Sequence, residues 1–149
     1  MNQLELQIET TAADLPGEAQ FQTWIDAALA DQDKEFEVVI RLVDEEESAQ
    51  LNQEYRGKSG PTNVLSFEFE VPDGIPLNLL GDLVICAPLV AKEALEQHKP
   101  IEHHWAHLVI HGVLHLRGYD HLDETEADEM EAKEINILKQ LNIPNPYQE

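Results

Sequence analysis

The sequence predicts an α+β fold, a single domain over residues 1–149 with a mixed sheet of about four strands packed with about five helices. Two observations lead there. Strand-like and helix-like stretches are intermixed along the chain and joined by short connections, which implies one layered fold. The length of 149 residues is that of one domain, and folding a chain of that size buries roughly 70% of the surface exposed when unfolded. No repeat, low-complexity tract or linker interrupts it.

Leu4, Leu6 and Ile8 alternate with polar residues, as on a half-buried strand. Phe21, Trp24, Ile25, Ala28 and Leu29 recur at helical spacing and form an amphipathic stripe. Phe36 to Val43, rich in Val and Ile, reads as a second strand. Asp44, with Glu47 three residues on, has the pattern of a capping box and opens a helix to about Tyr55. Arg56 to Thr62 is a loop by its Gly and Pro content. A third strand follows, with Leu65, Phe67 and Phe69 on one face and Ser66, Glu68 and Glu70 on the other. Pro72-Asp73-Gly74 breaks it, and Gly81 to Cys86 is the fourth. Pro88 to His98 predicts a helix with Pro88 in the first turn, where a missing N–H costs little. Ile101 to Arg117 predicts a helix apolar almost all round, hence buried. Asp123 and Glu126 cap a last helix whose stripe is Ala127, Met130, Ile137, Leu138 and Leu141.

Composition narrows the class. No stretch approaches the roughly 20 apolar residues of a membrane span, so no membrane association is expected. The N-terminal residues lack the basic and apolar regions of a secretory signal. Cys86 is the lone cysteine, which excludes an internal disulfide, fits a reducing cytoplasm, and predicts a buried small hydrophobe. The net charge of −21, from 30 acidic and 9 basic residues, argues against non-specific nucleic-acid binding, which needs clustered Lys and Arg. Global charge does not fix local potential, however. Arg56, Lys58 and Arg117 lie near the motifs described below and suggest a local basic cleft on an acidic body.

All seven histidines lie between positions 98 and 121. His111 and His115 are four apart on a predicted helix, one turn above the other on one face, close enough to share a metal ion. Gly118 ends that helix where a left-handed residue is easiest, so the chain can turn back and His121 can present a third nitrogen. Three imidazoles with an open fourth position describe a catalytic zinc site, one ion per chain, on a zincin-like metal-site helix. Nickel, copper or iron also suit three imidazoles. His103 and His107 extend the ladder upstream but drift around the axis, so they line the site or hold a supporting hydrogen bond. His98 and His104 carry no comparable pattern.

The spacing also matches the metzincin proteases, in which a Glu follows the first His as general base. Here that position is Gly112. The spacing speaks for a metal, and the missing carboxylate speaks against ordinary peptide hydrolysis.

The string from His111 to His121, HGVLHLRGYDH, resembles the YbeY family of bacterial rRNA-maturation endoribonucleases. Tyr55-Arg56-Gly57-Lys58 followed by Pro61-Thr62-Asn63-Val64-Leu65-Ser66-Phe67 resembles a second family signature, and Gly81-Asp82-Leu83-Val84-Ile85 a third. The likeness runs from about Val38 onward. It implies a zinc-dependent, single-strand-selective endoribonuclease acting in 16S rRNA 3′-end maturation and ribosome quality control. Its implied partners are single-stranded rRNA, the small ribosomal subunit and ribosome-assembly proteins. By the same resemblance His111, His115 and His121 are the metal ligands and Arg56 is needed for activity. Guanidinium suits that role, since it grips phosphate in a two-pronged fork, although a helix-end cation complementing the dipole is the plainer role for such an arginine. Lys58 offers a further phosphate contact. Asp82 and Asp120 are equally readable as turn or capping residues, and no general base stands out. Two rival readings remain: a zinc metalloprotease-like hydrolase, and a non-enzymatic ribosome assembly factor with a structural metal.

Overall fold

The computed structural model describes residues 2–68, 78–119 and 123–147. Phe69, Glu70, the break at Pro72-Asp73-Gly74, Asp120 and His121 therefore lie outside the described residues. The elements follow as β1 (Gln3–Glu9), α1 (Glu18–Ala28), β2 (Glu37–Val43), α2 (Glu45–Arg56), β3 (Val64–Glu68), β4 (Leu79–Cys86), α3 (Ala87–Glu96), α4 (Ile101–Leu116) and α5 (Glu124–Gln140). The four strands form one mixed sheet in the order β1-β2-β4-β3. β1 and β4 run parallel to β2, and β3 runs antiparallel to β4 on the edge. The expected α+β architecture is the observed one. No helix among the described residues is long and apolar enough to cross a membrane.

The period-two alternation of the strands sorts the core into two faces. Val38, Ile40 and Leu42 of β2 join Leu83 and Ile85 of β4 in the main core, against Phe21 and Ile25 of α1 and the apolar body of α4. On the opposite face Val43, Leu65 and Val84 form a smaller cluster with Leu51 of α2 and with Phe67. Cys86 is buried, as its apolar neighbours suggested.

α4 is buried on nearly every side, and Gly112 lets it lie close on the sheet. A Cβ there would stand 2.7 Å from Leu83 Cδ2, closer than van der Waals contact permits. The helix stops as its sequence predicts: Gly118 has φ +98°, and Tyr119 N–H reaches back to Leu114 O at 3.0 Å.

The capping reading was right at one end and wrong at the other. Asp123 accepts from Glu126 N at 2.8 Å and caps α5. Asp44 occupies the N-cap position of α2 but makes no side-chain cap bond. Its carboxylate accepts instead from Thr10 Oγ1 and, at 3.4 Å, from Thr11 N. Glu47, expected to complete the box, is drawn away to Arg41. Partners elsewhere in the same chain displace the local motif.

One polar cluster ties α3, α4 and the approach to β3 together. Buried His104 lies with Nε2 2.8 Å from Glu93 Oε1, and Asn63 Nδ2 donates to the same oxygen at 3.1 Å. The bond from His104 outweighs desolvation and, with Asn63, holds the Glu93 carboxyl below its ordinary value.

Two outcomes test this packing. Gly112→Ala is expected to cost about 1–3 kcal/mol in urea unfolding through overpacking. In a cycle with Leu83→Ala the combined loss should be smaller than the sum, and strict additivity would show that α4 does not rest on Leu83. Glu93 contributes stability while ionised, and that contribution is lost as pH falls below about 4.5 towards its lowered folded value. The stability gap between wild type and Glu93→Gln should therefore shrink as pH is lowered from 7 to 3; a constant gap would refute the assignment.

Candidate metal centre

Along α4, His107, His111 and His115 stand one turn apart and line an open cleft of 870 Å³ whose other residues include Arg56, Asn63 and Glu68. His107 and His111 also face α5. The rings of His111 and His115 meet nearly perpendicular, with centroids 4.6 Å apart and Nε2 atoms 3.1 Å apart. That is the convergence expected from the four-residue spacing.

The other nitrogen of His111 faces a carboxylate. Glu134, on α5, is fully buried. Its Oε1 lies 2.5 Å from His111 Nδ1, and its Oε2 lies 3.0 Å from His107 Nε2 and accepts from Tyr147 OH at 2.5 Å. Burial pushes the Glu134 carboxyl up, but the bonds from His107, His111 and Tyr147 prevail and bring it down to about 2. The group is thus ionised and can only accept. Burial, against the pull of Glu134, lowers the pKa of His107, so that ring is neutral at pH 7. Burial and Glu134 together raise that of Tyr147, which keeps its proton. His107, His111 and Glu134 bring possible ligand atoms within 4.8 Å of one another.

Across the cleft the wall is the loop between α2 and β3. α2 ends at Arg56 with Gly57 in the left-handed conformation. Buried Asn52 donates from Nδ2 to Gly60 O at 2.9 Å, and Ser48 donates from Oγ to Thr62 O at 2.8 Å. These two side chains pin the loop to the helix it leaves. Exposed Tyr55 rests edge-on against Phe67, ring centroids 5.0 Å apart, at the cleft rim.

Of the residues singled out in the sequence, the fold brings His111, His115 and Arg56 to one cleft. Lys58 is exposed in the loop and does not line it. His121 and Asp120 lie outside the described residues. Asp82 sits in mid-strand on β4, and alternation from Leu83 turns it to the face away from α4. Burial raises its carboxyl pKa. Arg117 does not help make a basic cleft. Its guanidinium donates to Ala28 O at 2.9 Å and to Asp31 at 3.1 Å, and it lies over the Tyr119 ring. His107 takes the supporting bond that its place on the ladder suggested. Glu134 and Tyr147 were missed. Glu134 had a visible mark, since it falls four residues after Met130 and four before Leu138, on the apolar stripe of α5.

A helix-borne imidazole pair backed by a buried carboxylate, in an open cleft beside a mixed sheet, places the chain in a class: α+β proteins with a histidine–carboxylate centre able to hold a metal ion. Comparison with known proteins narrows the class. The profile of the family described as Endoribonuclease YbeY matches residues 5–142. A protein of Methylococcus capsulatus named Endoribonuclease YbeY is 60% identical over 149 residues, which cover all of this chain and 97% of that one. One of the same name from Colwellia psychrerythraea is 58% identical over 150 residues, covering 98% of this chain and 97% of its own. The solution structure of TM1509 from Thermotoga maritima shares the fold, with a TM-score of 0.57 at 22% identity over 97% of this chain and 100% of the other. The chain belongs to the endoribonuclease YbeY family.

The assignment of Arg117 to scaffolding predicts that Arg117→Ala lowers stability by about 1–2 kcal/mol in urea unfolding while divalent-metal affinity is unchanged. A metal affinity that falls with Arg117→Ala would place the residue functionally nearer the centre than its bonds do.

Proposed function

We propose that the protein is a zinc-dependent endoribonuclease that cleaves single-stranded rRNA, acting with the small ribosomal subunit in 16S rRNA 3′-end maturation and quality control in the cytoplasm, as one domain over residues 1–149. The observation that carries this reading is the convergence of His111 and His115 Nε2 at 3.1 Å, in the cleft that Arg56 lines, in a chain of this family. The donor set fits an ion. Two nitrogens bound tetrahedrally at zinc distances are roughly 3.3 Å apart, and the spacing found is within reach of that by small side-chain adjustment.

His111, His115 and His121 would hold the ion, with a further position open to substrate. When bound, such an ion supplies Lewis acidity towards a phosphoryl oxygen and an attacking hydroxyl. The remaining work falls to the chain. Arg56, fixed at the end of α2 by the pinned loop, grips a backbone phosphate through its guanidinium fork and offsets the charge that develops on it. Lys58, outside the cleft, offers a second phosphate contact to a strand leaving it. Gly112 has no carboxylate, and Leu83 stands where a side chain would begin, so the base of a zincin protease has no room here.

The test pairs a single-stranded RNA, the same RNA as duplex, and a peptide library, on protein carrying stoichiometric metal. The single strand should be cut and the duplex and peptides spared. Arg56→Ala should lower cleavage roughly 10²–10³-fold with metal retained, and His115→Ala should lose both metal and cleavage. Peptide cleavage that disappears in His115→Ala would overturn the substrate. RNA cleavage that survives both Arg56→Ala and His111→Ala would leave the metal a structural role only.

A further inference from the structure

Glu134 is a buried carboxylate with no role in the reaction as set out above. It is 0% exposed, it sits on the apolar stripe of α5, and it faces α4 at the level of the histidines. Three donors converge on its two oxygens: His111 Nδ1 on Oε1, and His107 Nε2 with Tyr147 OH on Oε2. A carboxylate accepts and does not donate. Each ring nitrogen that faces it must therefore carry a proton.

For His111 this has a consequence on the far side of the ring. With the proton held at Nδ1, the Nε2 of a neutral imidazole is the unprotonated nitrogen, and Nε2 is the atom that lies 3.1 Å from His115 Nε2. We infer that Glu134 is a positioning residue, which fixes the tautomer and the ring orientation of His111 so that its Nε2 lone pair is directed at the metal position. The inference rests on the reading of His111 and His115 as ligands.

The same contacts argue against Glu134 as a ligand itself. Its oxygens already receive two imidazole donors and a phenol, and an ion placed among them would meet those protons. The grouping of His107, His111 and Glu134 within 4.8 Å is accounted for as one carboxylate holding two rings. Among the described residues Tyr147 and His107 bond the second oxygen and His111 bonds the first, which sets the direction in which the His111 ring faces.

The experiment uses metal-free and metal-loaded forms of the whole chain. Long-range proton–nitrogen spectra of the metal-free protein, with His111 assigned by its loss in His111→Asn, should show His111 protonated at Nδ1. In Glu134→Ala the ring should shift towards the Nε2–H form, and zinc affinity from chelator competition should fall roughly 10- to 100-fold. Glu134→Gln keeps a carbonyl that accepts from Nδ1, so it should recover part of that affinity. Its cobalt-loaded form should keep the wild-type visible spectrum. Should Glu134→Ala fail to fold, Glu134→Gln still has to bind zinc more weakly than wild type with the cobalt spectrum intact.

A wild-type His111 protonated at Nε2, or a zinc affinity unmoved by these substitutions, would overturn the inference. So would a cobalt spectrum of Glu134→Gln that reports the loss of a ligand. Failure of the underlying ligand reading looks different: wild type would bind no zinc, or His115→Ala would bind it as tightly.

Discussion

The bond set around Glu134 is the constraint on which the centre depends. An ionised carboxylate in a protein interior is expensive unless its lone pairs are met. Here they are met from two parts of the chain, the histidines of α4 and Tyr147 beyond the end of α5. Neither α4 nor the segment at Tyr147 can shift without leaving a buried charge short of a donor. The apolar residues Met130, Ile137 and Leu138 dock α5 into the core, but apolar packing tolerates small sliding. The carboxylate does not, because hydrogen bonds weaken steeply with angle. The histidine helix is thus held in register by a charge.

The second constraint is the depth at which α4 lies. Gly112 allows the helix onto β4 at Leu83, and Ser66 of β3 donates to its carbonyl at 3.4 Å. This close approach puts β3 and the loop before it opposite His111 and His115, so the cleft has an imidazole wall and a wall ending in Arg56. It also explains why a spacing shared with metzincins does not bring their chemistry. The position of their base is used here for contact with the sheet. Arg41 and Asp82 fall on the other face of the sheet, where Arg41 pairs with Glu9 at 2.7 Å.

Most of the fold was legible because its elements are strongly patterned. The stripe of α1, the alternation of β1 and the all-round apolarity of α4 each record burial directly. The convergence of His111 and His115 was legible for a similar reason, since helical spacing converts sequence distance into spatial distance. What could not be read depends on partners distant in the chain. Asp44 looks like a cap until Thr10 and Thr11 arrive from beside β1. Arg117 looks like part of a local basic cleft until Asp31 and the Ala28 carbonyl claim it. Glu134 looks like one acid among many on a helix rich in them. Only its place on the apolar face set it apart, and its importance comes from the rings of His107 and His111, more than twenty residues away.

The acidity of the chain takes on a different meaning once its cations are located. Arg41 is neutralised by Glu9 and Glu47, and Arg117 and Lys133 share Asp31. These basic groups serve the fold, so they add little attraction for phosphate over the body. At the cleft, attraction comes from a local source, the guanidinium of Arg56, with exposed Lys58 in the loop beyond it. Duplex nucleic acid carries a charge about every 1.7 Å along its axis. Laid on this surface, it would bring many phosphates against carboxylates within roughly 8–10 Å, where salt screens poorly. On the proposed reading, a single strand enters the cleft with one phosphate at Arg56 and its neighbours turned to water. On that reading the acidity of the chain works against the paired form of RNA rather than against RNA itself.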